Sequence, residues 1–146
     1  MILSDILLKD MPCVTRVRGH SMLPTLQDKR YYLYNPFVRN VRRGDIVTVD
    51  ADIDNVVKRV IALEGDRVII SPSGAVTVNG TLLDEPYVIP QTRKGKRIDI
   101  TVPKGCMWLM GDNRNASTDS RDFGAVERWR IKGRLIIKER GKCQQK

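Results

Sequence analysis

Two side chains in this sequence could together perform nucleophilic chemistry, Ser21 and Lys58. Ser21 lies in Gly19-His20-Ser21-Met22-Leu23-Pro24-Thr25-Leu26, a short turn whose proline stops any helix from continuing. A serine hydroxyl becomes a nucleophile when a neighbour accepts its proton, and histidine is the usual acceptor. The single histidine, His20, is directly beside Ser21. Adjacent side chains of an extended segment point to opposite faces, which makes His20 a poor partner. A Ser-His-Asp arrangement is nearly excluded, and a Ser-Lys dyad remains. Lys58 sits in the apolar run Val56-Val57-Lys58-Arg59-Val60-Ile61. Its ordinary pKa is about 10.4, and burial can lower such a value by about 3–5 pH units. A neutral Lys58 would take the Ser21 proton and later pass it to a leaving amine.

Strands must position this pair. Val56 to Leu63 reads as one strand, with Val56, Lys58 and Val60 on one face and Val57, Arg59 and Ile61 on the other. That pattern places the lysine beside valines and sends the arginine the opposite way. Cys13 to Arg18, Tyr31 to Tyr34, Ile46 to Val49, Arg67 to Ile70, Ala75 to Val78 and Met107 to Met110 are further strand candidates. Asn79-Gly80 is a strong hairpin signal. Residues 71–99, with the basic run Arg93-Lys94-Gly95-Lys96-Arg97, read as an excursion from the main sheet. Near the end, Arg128, Arg130, Lys132 and Arg134 alternate with Trp129, Ile131, Gly133 and Leu135. A strand there would turn its basic groups outward, to solvent or to an anionic membrane.

Four segments carry a family resemblance. Ser21-Met22-Leu23-Pro24-Thr25, Gly44-Asp45-Ile46-Val47, Lys58-Arg59-Val60-Ile61 and Gly111-Asp112-Asn113-Arg114-Asn115-Ala116-Ser117-Thr118-Asp119-Ser120-Arg121 closely resemble the ordered boxes of type I signal peptidases. That family includes bacterial leader peptidases and mitochondrial inner-membrane peptidases. The resemblance runs from about Val17 to Gly124 and continues toward the C-terminus. It implies a mainly β chain with the catalytic β-fold shared by signal peptidases and SOS-response repressors, plus a small β-rich cap away from the active site. The expected organisation is one peptidase domain over residues 1–146, with a core of about 13–70 and 100–146 and a cap of about 71–99.

The resemblance also implies roles. Ser21 would be the nucleophile and Lys58 the base. Ser117 would hydrogen-bond the Lys58 amine and orient it, while Asp119 and Arg121 would pair and brace the loop. Asp112 and Arg114 would be structural supports. The Ser21 N–H is the natural first oxyanion donor; many family members add a hydroxyl two residues before the nucleophile, where this chain has Gly19. Substrates would be preprotein signal peptides of the Ala-X-Ala type, added as a β-strand to an open sheet edge. Met22, Leu23 and the Tyr31–Tyr34 strand would wall the pocket. No metal or organic cofactor is implied.

At the level of the whole chain, 41% apolar and 29% charged residues over 146 positions describe one globular domain rather than a disordered one. Lys and Arg outnumber Asp and Glu by 26 to 17, a formal charge of +9, which favours anionic surfaces such as phospholipid headgroups or nucleic acid. Cys13, Cys106 and Cys143 have no metal-like spacing, and with one histidine they read as ordinary thiols rather than a zinc site. No apolar run approaches the about 20 residues that span a bilayer, and Asp5, Lys9 and Asp10 argue against a cleavable targeting signal. Ile2, Leu3, Ile6, Leu7, Leu8 and Met11 fit one face of a short helix, either an interfacial anchor or an element packed on the core. The expected location is the extracytoplasmic face of a bacterial membrane, with the mitochondrial inner membrane as alternative. Two other functions compete. A soluble self-cleaving regulator of the SOS-repressor type needs a cleavable segment before Ser21, and the residues there contain no Ala-Gly or Cys-Gly pair. A basic nucleic-acid-binding module, with the tyrosines of Tyr31–Tyr34 as stacking platforms, leaves the four ordered boxes unexplained.

Overall fold

The computed structural model describes residues 11–137 apart from Arg39 and Ile53. The expected helix over Ile2 to Met11 and the thiol of Cys143 lie outside these residues, Met11 alone excepted. Valine- and isoleucine-rich segments pair into two antiparallel sheets. The larger contains β1 (Cys13–Arg16), β2 (Tyr31–Asn35), β3 (Ile46–Asp50), β4 (Asn55–Leu63), β9 (Cys106–Met110), β10 (Val126–Glu127) and β11 (Ile131–Leu135), in the order β1-β2-β11-β3-β4-β9-β10. The smaller contains β5 (Arg67–Ile70), β6 (Val76–Val78), β7 (Thr81–Leu82) and β8 (Ile98–Thr101), in the order β7-β6-β5-β8. The fold is mainly β, as the sequence implies.

β4 is central. Its first half packs Val56 and Val60 with Val47, Val49, Met107 and Leu109, while Val57 joins Val17, Met22, Leu26, Ile46 and Leu135 on the other side. A register shift between Val60 and Ala62 then turns the strand, so that Ile61 and Ala62 pack with Val68, Ile70, Val76 and Val78 of the second sheet. Mid-strand, both faces of β4 are dry.

Two expectations change. The second sheet takes in Arg67–Ile70 and Ile98–Thr101, so the excursion is wider than 71–99. The basic alternation near the end is not one strand: Arg128–Arg130 form a single 3-10 turn, and β11 begins at Ile131. The turn sends Trp129 outward, where 74% of its surface is exposed, although the alternation predicts it inside. Asn79 and Gly80 both adopt positive φ (50° and 82°), as the two-residue hairpin between β6 and β7 requires. Gly133 has a different reason for its identity: a Cβ there would strike the Tyr34 ring and the Asn35 carbonyl where β11 crosses β2.

Candidate active site

The Ser21 turn is pinned at its base. The Val17 N–H donates to the Arg30 carbonyl (2.9 Å) and the Lys29 N–H to the Val17 carbonyl (2.8 Å). Inside that clasp the Gly19 N–H donates to Asp28 Oδ1 (2.8 Å), with Gly19 at φ 81°. Met22 and Leu26 are each 1% exposed and anchor the turn in the core. His20 projects away, 63% exposed, with Nε2 3.8 Å from Asp28 Oδ2. Ser21 is left facing β4, and Lys58 Nζ lies 2.8 Å from Ser21 Oγ.

Lys58 is 4% exposed, and burial holds its pKa below the ordinary lysine value. The Asp119 charge opposes that shift, Arg121 adds to it, and Asp122 opposes it more weakly. The direction agrees with the geometry, because no carboxylate among the described residues hydrogen-bonds the amine. Asp119, fully buried, is occupied elsewhere. Burial pushes its pKa up, but hydrogen bonds from Arg121 Nε (2.9 Å), Ser117 Oγ (2.6 Å) and the Gly111 N–H (3.0 Å) hold it below the ordinary value. Asp119 also caps α1 (Ser120–Phe123), accepting from the Arg121 N–H.

Ser117 lies in this loop, with its Oγ and the Ser21 carbonyl against the same side of Gly111. Its hydroxyl donates to Asp119 and makes no hydrogen bond to Lys58. Donation to Asp119 still leaves the Ser117 oxygen able to accept from an N–H donor. Asp119 and Arg121 do pair. Asp112, also fully buried, receives Arg59 Nε (2.8 Å) and Nη2 (2.7 Å), together with the Thr25 hydroxyl of the Ser21 turn. Arg114 forms a fork with Glu85 and donates Nε to the Gly111 carbonyl (2.8 Å). Asn113, which the sequence marks only by its place in the box, donates its N–H to the Ser21 carbonyl (2.9 Å) and Nδ2 to the His20 carbonyl (3.1 Å). Gly111 permits this approach, since a Cβ would strike Ser117 Oγ and the Ser21 carbonyl. Thr25, Glu85 and Tyr87 also reach the site. Their residue types give no signal in the sequence, because each finds its partner on a distant segment.

A cavity of about 100 Å³ opens beside Ser21, lined by Arg16–Arg18, Ser21, Met22 and Asn55–Lys58. Leu23 and the Tyr31–Tyr34 strand do not line it, contrary to expectation. The clasp turns them away: Tyr32 faces a separate groove with Pro24, Arg59 and Tyr87. β9 pairs with β4 only from Arg59 onward, so along Asn55–Lys58 one backbone edge of β4 has no strand partner among the described residues. The Ser21 N–H likewise meets no protein acceptor among them. No cluster of three or more His, Cys, Asp or Glu with metal-site geometry occurs among the described residues.

The sequence and the fold are both matched in other proteins. The chain is 38% identical over 136 residues to signal peptidase I of Bacillus caldolyticus, covering 82% of this chain and 74% of that protein. It is 34% identical over 126 residues to subunit 1 of the mitochondrial inner membrane protease of Xenopus tropicalis, covering 82% and 64%. The crystal structure of a signal peptidase I from Enterococcus faecalis superposes with a TM-score of 0.59 at 27% identity, covering 68% of this chain and 99% of that one. A sequence profile described as "Signal peptidase, peptidase S26" matches residues 9–138, nearly everything described above, and the chain belongs to that family.

Proposed function

We propose that this protein is a serine endopeptidase that removes signal peptides from exported preproteins, with Ser21 as nucleophile and Lys58 as base. The observation that carries the reading is the 2.8 Å contact between Ser21 Oγ and a lysine that burial biases toward its neutral form. Ser21 Oγ attacks the scissile carbonyl as its proton passes to Lys58 Nζ. The oxyanion that forms is met by the free Ser21 N–H. Lys58 then protonates the leaving amine, which departs with the mature chain, and the signal peptide stays as an acyl ester on Ser21. Lys58, neutral again, takes a proton from water as it attacks the ester. Asp119 and Arg121 brace the loop beside Lys58, and Asp112 and Arg114 hold it to the rest of the fold.

Substrate recognition follows from the open edge of β4. An extended peptide laid between Arg16–Arg18 and Asn55–Lys58 would complete the backbone pairing. A cavity of about 100 Å³ suits small side chains such as alanine, which supports an Ala-X-Ala preference. The reaction would take place at a membrane surface. No helix among the described residues is long and apolar enough to cross a membrane. Val14 on β1 and Leu33 on β2 face each other and are exposed, as is Ile136, whose N–H donates to the Leu33 carbonyl; with Arg16 further along β1 this patch would suit anionic lipid. The proposed location is the extracytoplasmic face of a bacterial membrane, with the mitochondrial inner membrane as the alternative; relatives of both kinds support a membrane site.

The test is mass spectrometry of a preprotein bearing an Ala-X-Ala signal, incubated in detergent with this protein or its Ser21→Ala variant. A single cut after the second alanine, absent with the variant, is expected. Shortening of the protein itself with the preprotein intact would instead favour a self-cleaving regulator.

A further inference from the structure

The segment that leaves the second sheet after β7 returns across the active-site loop. Glu85 accepts from Arg114 Nη1 (3.1 Å) and Nη2 (2.7 Å), with side-chain exposures of only 12% and 3%. The Ile89 N–H donates to the Asp112 carbonyl (2.9 Å), and the Arg114 N–H donates to the Ile89 carbonyl (2.9 Å). Between these contacts the Tyr87 ring covers Arg59, whose guanidinium carbon is 3.8 Å from the ring centroid. The residues gripped in this way hold both halves of the candidate dyad. Asn113 bonds the Ser21 carbonyl. Asp112 bonds Thr25 in the Ser21 turn and Arg59, the neighbour of Lys58 on β4.

We infer that residues 84–89 form a strap that fixes the distance between Ser21 and Lys58, with Glu85 and Tyr87 as its positioning residues. The inference rests on the Ser-Lys reading above. Without the Glu85 carboxylate, Arg114 is a buried cation with no counter-charge and must shift toward water. Its Nε holds the Gly111 carbonyl, so the shift moves Asp112 and Asn113 as well. Without the Tyr87 ring, water reaches the Arg59–Asp112 pair that ties β4 to the loop. A displacement of about 1 Å at reacting atoms can cost roughly 100-fold in rate. The substrate groove along Arg16–Arg18 and Asn55–Val57 shares no residue with the strap. The loss therefore falls on kcat and leaves KM in place.

A thiol at position 21 reports the contact directly, because a lysine within reach favours its thiolate. In a Ser21→Cys background, iodoacetamide labelling of that position is followed by peptide mass spectrometry across pH. Four further substitutions are compared: Lys58→Ala, Glu85→Gln, Tyr87→Leu and Tyr87→Phe. Lys58→Ala slows labelling at neutral pH and moves its midpoint up toward that of an ordinary cysteine. Glu85→Gln and Tyr87→Leu are expected to do the same, with labelling roughly 10-fold slower, and Tyr87→Phe, which keeps the ring, rescues it. With Ser21 in place, Glu85→Gln and Tyr87→Leu lower kcat for peptide cleavage at unchanged KM. If Lys58→Ala slows labelling but both strap variants label at the parent rate, the strap is overturned and the dyad stands. If Lys58→Ala has no effect, the dyad itself falls. Tyr87→Leu trims only a half-buried ring, and its labelling rate alone decides the question if Glu85→Gln fails to fold.

Discussion

Lys58 and Arg59 are consecutive basic residues on one strand, the first buried and the second largely so, and their surroundings are opposites. Arg59 is met by both oxygens of Asp112, by the Gly44 carbonyl (2.9 Å) and by the Tyr87 ring. Burial disfavours its charge, but the Asp112 hydrogen bonds and charge outweigh that and raise its pKa. Lys58 has a serine hydroxyl instead, and the nearest carboxylate is engaged by Arg121, Ser117 and Gly111. Burial therefore prevails and lowers its pKa. Burial acts on both residues, and the Asp112 carboxylate beside Arg59 sets the opposite directions of their pKa shifts. The alternation of a strand lets neighbouring basic residues meet such different surroundings, because it sends them to opposite faces.

The sharpest way to break this contrast is to exchange the two side-chain types. Lys58→Arg puts a permanent cation against Ser21, and cleavage of a signal-peptide substrate is expected to fall by about 10⁴-fold or more. Single-turnover kinetics measures it, and substantial residual cleavage would end the dyad reading. Arg59→Lys should cost far less. It keeps a cation beside Asp112 but loses the two-pronged bond, with a fall in kcat of roughly 10-fold, like that of the strap variants, and some loss of stability.

Next in size is removal of the clamp's carboxylate. Asp112→Asn leaves Arg59 buried and uncompensated, and the cost of breaking such a pair is about 3–5 kcal/mol. Urea unfolding should show the midpoint falling with little change in slope. A loss under about 1 kcal/mol would mean that Arg59 reaches water in the variant, and that the pair does not hold β4 to the loop.

The sequence discloses these two residues unequally. Lys58 is legible because an isolated lysine among valines is odd in any strand, and because strand alternation assigns it a face. The strands themselves are legible for the same reason, down to the turn at Asn79-Gly80. Alternation also gives Arg59 the opposite face, but nothing nearby in sequence names Asp112, on the far side of the second sheet's excursion, as its partner. Ser117 shows the limit from the other side: its place in the motif does not disclose that its hydroxyl donates to Asp119. Trp129 departs from its expected place because alternation holds only while the backbone stays extended, and the 3-10 turn at Arg128–Arg130 breaks the period.

A finer test leaves both cations in place and alters the charges around Lys58. In the proposed mechanism Lys58 acts as a base only when neutral, so the rate should rise as pH climbs through its pKa. Asp119 raises that pKa and Arg121 lowers it. Asp119→Asn should therefore move the acidic limb of the kcat/KM profile to lower pH, and Arg121→Gln should move it higher. Limbs shifting the same way in both variants would mean that loop distortion, not charge, controls Lys58.

The smallest effect is expected at Asp66, a third buried carboxylate, which sits where β4 hands over to the second sheet. It accepts from Arg43 Nε (2.8 Å), the Leu63 N–H (2.8 Å) and Asn79 Nδ2 (2.9 Å). The Arg43 hydrogen bond is the main cause of a pKa held at about 2, against the burial that would raise it. The folded value lies below the ordinary aspartate value of about 3.9, so the charged form favours folding. That contribution is complete above about pH 4 and is lost as pH falls toward about 2. Asp66→Asn should thus flatten the thermal stability profile across this window. Its cost near pH 7 should be less than that of Asp112→Asn, because the Arg43 side chain is 52% exposed against 11% for Arg59 and rehydrates when its partner is removed. An equal loss at the two sites would mean that the exposure of the arginine does not set what each aspartate contributes.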